Sequence, residues 1–299
     1  MMGRYWANAF PIAAVLLWGG NAVVTKASAG VIGAAEIAFW RWLIAAALLL
    51  PFAINPLRTQ WGDVRRNLGK QAILGLLGSA LFPTLMYLAA SHTSAINMGV
   101  IQSLMPIMAL GLAMALFRQR FSAVVWAGAL LSLLGVAIVV TGGSPARLLA
   151  RGVNPGDAIM LAATACFALY STLVRKWRND LPQVTNLFLQ AAFASAVLSV
   201  PFALTPRVGI NAGNVAIVLY AAVLASIAAP LLWMAGIVRI GPARAANFFN
   251  GLPVVAAVFA VLFLGERVTL AMLPGVVLVI GGVMLAERYA ARPLGSKAG

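Results

Sequence analysis

From Ala245 to Glu287 the chain carries two long apolar blocks with Gly265-Glu266-Arg267-Val268-Thr269 between them. A block such as Ala245 to Leu264 has 20 residues. At an α-helical rise of about 1.5 Å each, that spans the roughly 30 Å hydrocarbon core of a bilayer. A chain with such a pair is constrained to place it in lipid as a helical hairpin. The same pattern recurs 147 residues earlier: Pro106 matches Pro253, Arg120 matches Arg267, Gly128 matches Gly275 and Gly135 matches Gly282. Pro83 matches Pro230 at that offset, and Pro51-Phe52-Ala53 matches Pro201-Phe202-Ala203 at an offset of 150. Two copies of one unit are therefore expected, over 1–142 and 143–299.

Composition excludes the soluble alternatives. With 63% hydrophobic and 9% charged residues, a water-soluble fold has too little polar surface to cover its core. The net charge of +15 does not point to nucleic acid, because the basic residues are scattered among short connections and form no stripe interleaved with aromatics. The single cysteine, Cys166, lies in an apolar segment and permits no intrachain disulfide. Arg4 followed by an apolar run and Ala27-Ser28-Ala29 imitates a cleavable leader. Removing it would destroy one half of the repeat, so retention is expected.

Apolar blocks bounded by charges or turn residues predict an all-α membrane protein of ten transmembrane segments, near 8–26, 35–54, 71–91, 95–117, 123–141, 157–175, 184–204, 215–238, 245–264 and 269–287. Asn55 to Lys70 is expected to be the longest loop of the first half. Of the 21 lysines and arginines, 15 fall on the face that holds the N-terminus and five on the other, with Arg41 inside the second segment. This places both termini in the cytoplasm of a bacterial-type inner membrane. Five crossings per unit make the second copy enter from the opposite side. Inverted repeats of this kind are a recurrent design of secondary transporters, which open alternately to either side of a central site.

Trp18-Gly19-Gly20-Asn21 followed by Lys26, Gly265-Glu266-Arg267-Val268-Thr269, and Gly281-Gly282-Val283 resemble the EamA repeats of the drug/metabolite transporter superfamily. The resemblance covers nearly the whole chain and implies a ten-helix, two-repeat transporter of small molecules. Within the superfamily the chain looks most like the bacterial aromatic amino-acid exporters of the YddG type. The first copy departs from the pattern, with Phe117-Arg118-Gln119-Arg120-Phe121-Ser122 where the family's glycine and glutamate belong. Glu266 is accordingly read as a helix-end anchor.

Polar groups at membrane depth are costly and need a partner or a cavity. Trp18, Asn21, Tyr87, Gln102, Ser103, Tyr170, Ser171, Trp233, Asn247, Phe248 and Asn250 are the candidate cavity lining for an amphipathic solute. Ser103 and Asn250 are repeat equivalents. The structural alternative for Asn, Gln and Ser is interhelical bonding, worth about 0.6 to 2 kcal/mol each. Trp6, Trp40, Trp42, Trp61 and Trp177 are assigned to the interfacial belt. Arg41 either meets a substrate carboxylate or snorkels to the outer interface. His92 is expected in a solvated loop. Pro83, Pro106, Pro230 and Pro253 are the expected hinges.

Glu36, Asp63, Asp157, Asp180, Glu266 and Glu287 all fall at segment ends or in loops, which leaves no evident carrier for a proton relay. A membrane enzyme is disfavoured by the lack of any hydrolase, metal-ligand or phosphate-loop motif, and a passive channel does not call for matched prolines. No cofactor or metal is expected, and the partners are a small-molecule substrate and the bilayer, in a chain needing no second copy. In a Cys166→Ala background, a membrane-impermeant thiol reagent applied to intact cells should label a cysteine at Gly33 or Gly209 and spare one at Thr59. Labelling at Thr59 reverses the orientation.

Overall fold

The computed structural model describes residues 2–117, 122–141, 143, 154–240, 248 and 251–290. Among these every regular element is helical. In chain order they are α1 (Met2–Ser28), α2 (Ala34–Thr59), α3 (Trp61–Ala90), α4 in two pieces (Ala95–Gln102 and Met105–Phe117), α5 (Ala123–Val140), α6 (Pro155–Lys176) and α7 (Gln183–Leu204). Then come α8 (Val215–Leu219, Tyr220–Ala228 and Ala229–Ile240), α9 (Leu252–Leu264) and α10 (Leu273–Ala290). Among the described residues seven helices are long and apolar enough to cross a bilayer, and α5, α9 and α10 supply shorter apolar stretches. Large apolar side chains point outward: Phe52 and Phe263 are each 71% exposed, Leu262 68%. A surface of that kind is stable against hydrocarbon and a liability in water.

The expected loop from Asn55 to Lys70 is helical instead. Helix α2 runs on to Thr59, α3 starts at Trp61, and Gln60 alone separates them. Local bonds carry these turns beyond the apolar segments: Thr59 Oγ1 donates to Asn55 O at 3.0 Å, Asn67 Nδ2 to Asp63 O at 2.9 Å, and Arg66 pairs with Asp63 at 3.5 Å. Polarity was taken for a loop, yet Arg, Lys, Gln and Asn are all compatible with a helix, and contacts three and four residues apart support one.

The matched prolines have matched structural consequences. In α3 the stretch Gly75–Leu81 is π-helical and Pro83 follows two residues after it; in α8 the π-helical stretch is Tyr220–Ala228 and Pro230 follows at the same distance. At the end of each stretch an i→i+5 bond is made, Phe82 N–H to Leu77 O and Ala229 N–H to Leu224 O. The next residue is the proline, which has no N–H, so the carbonyls of Gly78 and Ala225 lose their helical donors. Pro106 and Pro253 act differently. Each is the second residue of a helical piece, the second half of α4 and α9 respectively, where a missing N–H is tolerated. A turn at Ser103 and Leu104 interrupts α4 just before.

Helices α5 and α10 join the two copies through their glycines. A Cβ on Gly282 would lie 2.5 Å from Gly128 O, and one on Gly135 would lie 2.5 Å from Gly275 O. Gly128 corresponds to Gly275 and Gly135 to Gly282, so each contact is the image of the other, and the order of the pairs makes the helices antiparallel. Midway between them Ser132 Oγ donates to Val279 O at 3.4 Å, and these two residues are themselves 147 apart. Small residues here allow backbones to touch, as membrane helix pairs require. Glu266, between α9 and α10, accepts from the free amides of Ala95 and Ile96 at 2.7 and 3.1 Å, capping the first turn of α4.

Gly282→Ala should therefore lower the thermal unfolding temperature in detergent by several degrees, in line with an overpacking cost of about 1–3 kcal/mol. Gly281→Ala, where a Cβ meets nothing within 4 Å, should leave it unchanged or slightly raised.

Candidate functional site

The π-turns before Pro83 and Pro230 each meet the first helix of the opposite copy. Trp18 of α1 donates its indole Nε1–H to Ala225 O at 3.2 Å, standing in for the donor that Pro230 lacks. In the other half Tyr170 of α6 lays its ring on Gly78, the residue equivalent to Ala225, so closely that a Cβ there would come within 2.5 Å of the ring. An aromatic side chain from each copy thus sits on the π-turn of the other. Gly19 and Gly20 make the approach on the Trp18 side feasible, since a Cβ at either would collide with Val255 of α9 or with the hydroxyl of Tyr220. That hydroxyl donates to Leu17 O at 3.0 Å. Trp233 of α8 closes the group, its ring 5.7 Å from that of Trp18, a favourable tilted aromatic contact.

The second helix of each copy adds a polar side chain to the same region. Arg41 of α2 donates through Nε to the Ser226 hydroxyl, in the π-turn of α8, and through Nη1 to the Tyr87 hydroxyl of α3 at 3.3 Å. The Ser226 hydroxyl in turn donates to Ala221 O at 2.8 Å. Gln190 of α7 accepts from Tyr170 at 3.0 Å and donates to Gln71 Oε1 of α3 at 2.9 Å; Gln71 donates to Asn186 at 2.8 Å, and Asn186 to Asn179 at 3.0 Å. One half of the site is built on a cation and two hydroxyls, and the other on a chain of neutral amides running toward the start of α7.

The expectation that Arg41 snorkels is corrected. It is the eighth residue of α2, only 5% exposed, and directed at Ser226 and Tyr87. Trp42 likewise leaves the interfacial belt for the interior, 5% exposed and 5.3 Å from the Arg41 guanidinium carbon. Among the other candidates, Asn21 is buried with Oδ1 unpartnered, as is Thr25 Oγ1 one turn along α1. Ser103 and Ser171 bond back to their own helices, to Val100 O at 2.6 Å and Phe167 O at 2.8 Å. Gln102 ends the first piece of α4 at its break, and the half-buried Phe248 stands before α9, accepting from Gly251 N–H at 3.0 Å. Asn247 and Asn250 lie outside the described residues.

Ser226, Gln71, Gln190 and Tyr220 were not anticipated. Ser226 carried a signal, for it repeats Ser79 at the 147-residue offset; the glutamines were visible only as isolated amides in apolar runs. At the far end of α1, Lys26 Nζ donates to Ala90 O and Thr93 O, both at 2.7 Å, where α3 ends. The Thr93 hydroxyl donates to Asp157 in the first turn of α6, and Asn97 reaches the same carboxylate at 3.3 Å. Among the described residues no cluster of His, Cys, Asp or Glu is arranged to hold a metal.

The model of the EamA-like transporter family matches residues 5–141 and again 154–287. An uncharacterized transporter of Bacillus subtilis (strain 168), YyaM, is 28% identical over 88% of both chains. An uncharacterized transporter of Archaeoglobus fulgidus is 25% identical over 91% of this chain and 93% of its own. A solved crystal structure, 19% identical, superposes with a TM-score of 0.64 over 98% of this chain and 99% of that one, and shows the shared fold. None of these likenesses singles out the aromatic amino-acid exporters within the superfamily. Two family matches spanning nearly the whole helical chain establish that it belongs to the EamA-like transporter family, of the drug/metabolite transporter superfamily.

Proposed function

We propose that the chain is a secondary transporter that exports small amphipathic metabolites, aromatic amino acids first, by alternating access across a bacterial inner membrane. In this reading α1 to α10 all cross the bilayer, both termini are cytoplasmic, and 1–142 and 143–299 are the inverted units. The observation that carries it is the paired arrangement of π-turns, each under an aromatic side chain from the other copy. Such turns are weak points where half-helices swing about Pro83 and Pro230, with Pro106 and Pro253 as the second pair of hinges. The antiparallel glycine contact of α5 with α10 supports the inverted relation. Trp18, Trp233 and Tyr170 offer the ring-stacking surface, while Asn21, Gln102, Ser103, Ser171, Asn247, Phe248 and Asn250 complete the proposed lining. The family is one of transporters.

The test is a counterflow panel in proteoliposomes of the purified protein, with amino acids and nucleotide sugars as counter-solutes. Phenylalanine, tyrosine or tryptophan on the far side should accelerate uptake of labelled phenylalanine at least severalfold. In cells, overproduction should lower accumulation of a toxic phenylalanine analogue. Unchanged accumulation, with the protein confirmed in the membrane, removes this substrate class.

Transport is proposed to run without obligatory proton coupling, because two of the carboxylates already have roles at helix ends: Glu36 on the Val208 and Gly209 amides, Glu266 on α4. One observation favours the rival, proton-coupled reading. Asp157 is only 5% exposed at the junction of α3, α4 and α6. An imposed pH gradient at zero membrane potential should leave the direction of flux unchanged. Uphill accumulation under that gradient would favour the rival and make Asp157→Asn the first variant to build.

A further inference from the structure

Arg41 is a buried cation that pairs with no carboxylate among the described residues. Its nearest acid along the chain, Glu36, spends one oxygen on Val208 N–H at 3.0 Å and the other on Gly209 N–H at 2.8 Å. Asp157 is engaged by Thr93 and Asn97, and Glu266 by the amides of Ala95 and Ile96. Arg66 pairs with Asp63 on an exposed helix face, far from Arg41 in the chain. The groups that do meet Arg41, the hydroxyls of Ser226 and Tyr87 and the ring of Trp42 at 5.3 Å, are acceptors or a π-face and carry no net charge. Dipoles of this kind hold a guanidinium in place without neutralising it, and a charge removed from water is unfavourable until an opposite one arrives.

The geometry also leaves the guanidinium able to bind. Nε and Nη1 are taken, while Nη2 has no protein acceptor among the described residues. A guanidinium has five N–H donors in a planar fork that matches a carboxylate. The Tyr87 hydroxyl, accepting from Nη1, keeps its own proton to donate to an anion. On the α8 side the neighbouring residue, Ala225, receives Trp18, so the cation and the tryptophan meet the same π-turn through consecutive residues. At the 150-residue offset of the second helices Arg41 corresponds to Ala191, and nearby the other half carries the neutral Gln190–Gln71 pair, so the charge requirement is one-sided.

We infer that Arg41, with Tyr87, is the docking point for the carboxylate of the transported solute, and that the protein selects monocarboxylates over their uncharged or cationic analogues. Ser226 is a positioning residue that holds Nε. This rests on the transporter reading above for its role, but the binding it predicts is independent of flux. Inorganic chloride shares the anionic chemistry, and its contribution is separated experimentally.

The purified protein in detergent is titrated with 3-phenylpropionate and phenylalanine, against 3-phenylpropionamide and phenylalaninamide, in chloride-free buffer. Thermal unfolding is the readout. The two acids should raise the unfolding temperature in a saturable manner, and the amides should bind at least tenfold more weakly. Arg41→Gln should abolish the preference for acid over amide, and Tyr87→Phe should weaken acid binding severalfold while keeping some preference. Equal response to acid and amide in the unmodified protein overturns the inference, and so does an unaltered preference in Arg41→Gln. Chloride that saturates the response and cannot be displaced by the acids also overturns it, assigning the site to an inorganic anion. Should Arg41→Gln fail to fold, the acid–amide comparison and Tyr87→Phe still decide. Acid-selective binding together with absent counterflow would leave this inference standing and remove the transport reading alone.

Discussion

A carbonyl in hydrocarbon with no donor costs several kcal/mol, and Pro83 and Pro230 each create one inside an otherwise continuous helix. Much of the core is an answer to that demand. The π-winding before each proline moves the freed carbonyl to Gly78 or Ala225, and an aromatic side chain from the opposite copy covers the place. The covering must come from a neighbour, so the two copies cannot separate without exposing both turns. In α8 the cover is a hydrogen bond from Trp18; in α3 it is the face of Tyr170, whose hydroxyl turns away to Gln190.

From the same scaffold the two halves diverge in polarity. Arg41 and Gln190 stand on the second helices of their copies and both reach a third helix close to its π-turn, one as a permanent charge and the other as an amide with two neutral partners. A symmetric backbone thus carries an asymmetric field. The gradient between a cationic flank and an amide flank is directional, which equal halves would not supply.

The internal repeat was legible because its markers are backbone residues. Prolines and glycines at a fixed offset report where helices bend or touch, and Gly128, Gly135, Gly275 and Gly282 proved to be mutual contacts. Glu266 was legible as an anchor, since a carboxylate beside a helix start has few other uses. Less visible were the extents and partners of polar groups. Asn55 to Lys70 looked like a loop because polarity marks departure from the apolar layer and says nothing of helicity. Arg41 looked like a snorkelling residue because its depth along α2 is visible in the sequence, whereas Ser226, 185 residues away, is not. Gln71 and Gln190, 119 apart, belong to a network that exists only once α3 and α7 are packed.

The α5–α10 contact has a consequence for how such a chain arises. Gly128 meets Gly282 and Gly135 meets Gly275, with Ser132 opposite Val279 at the centre, so exchanging the copies maps the contact onto itself. That is the property of an isologous interface with a two-fold axis. A free-standing five-helix unit bearing both glycines would make the same contact with its twin, and fusing the genes would preserve the seam while releasing every other position to vary. The seam has the symmetry of a homodimer interface inside one polypeptide, which the neighbouring polar site, with Arg41 on one side only, does not share.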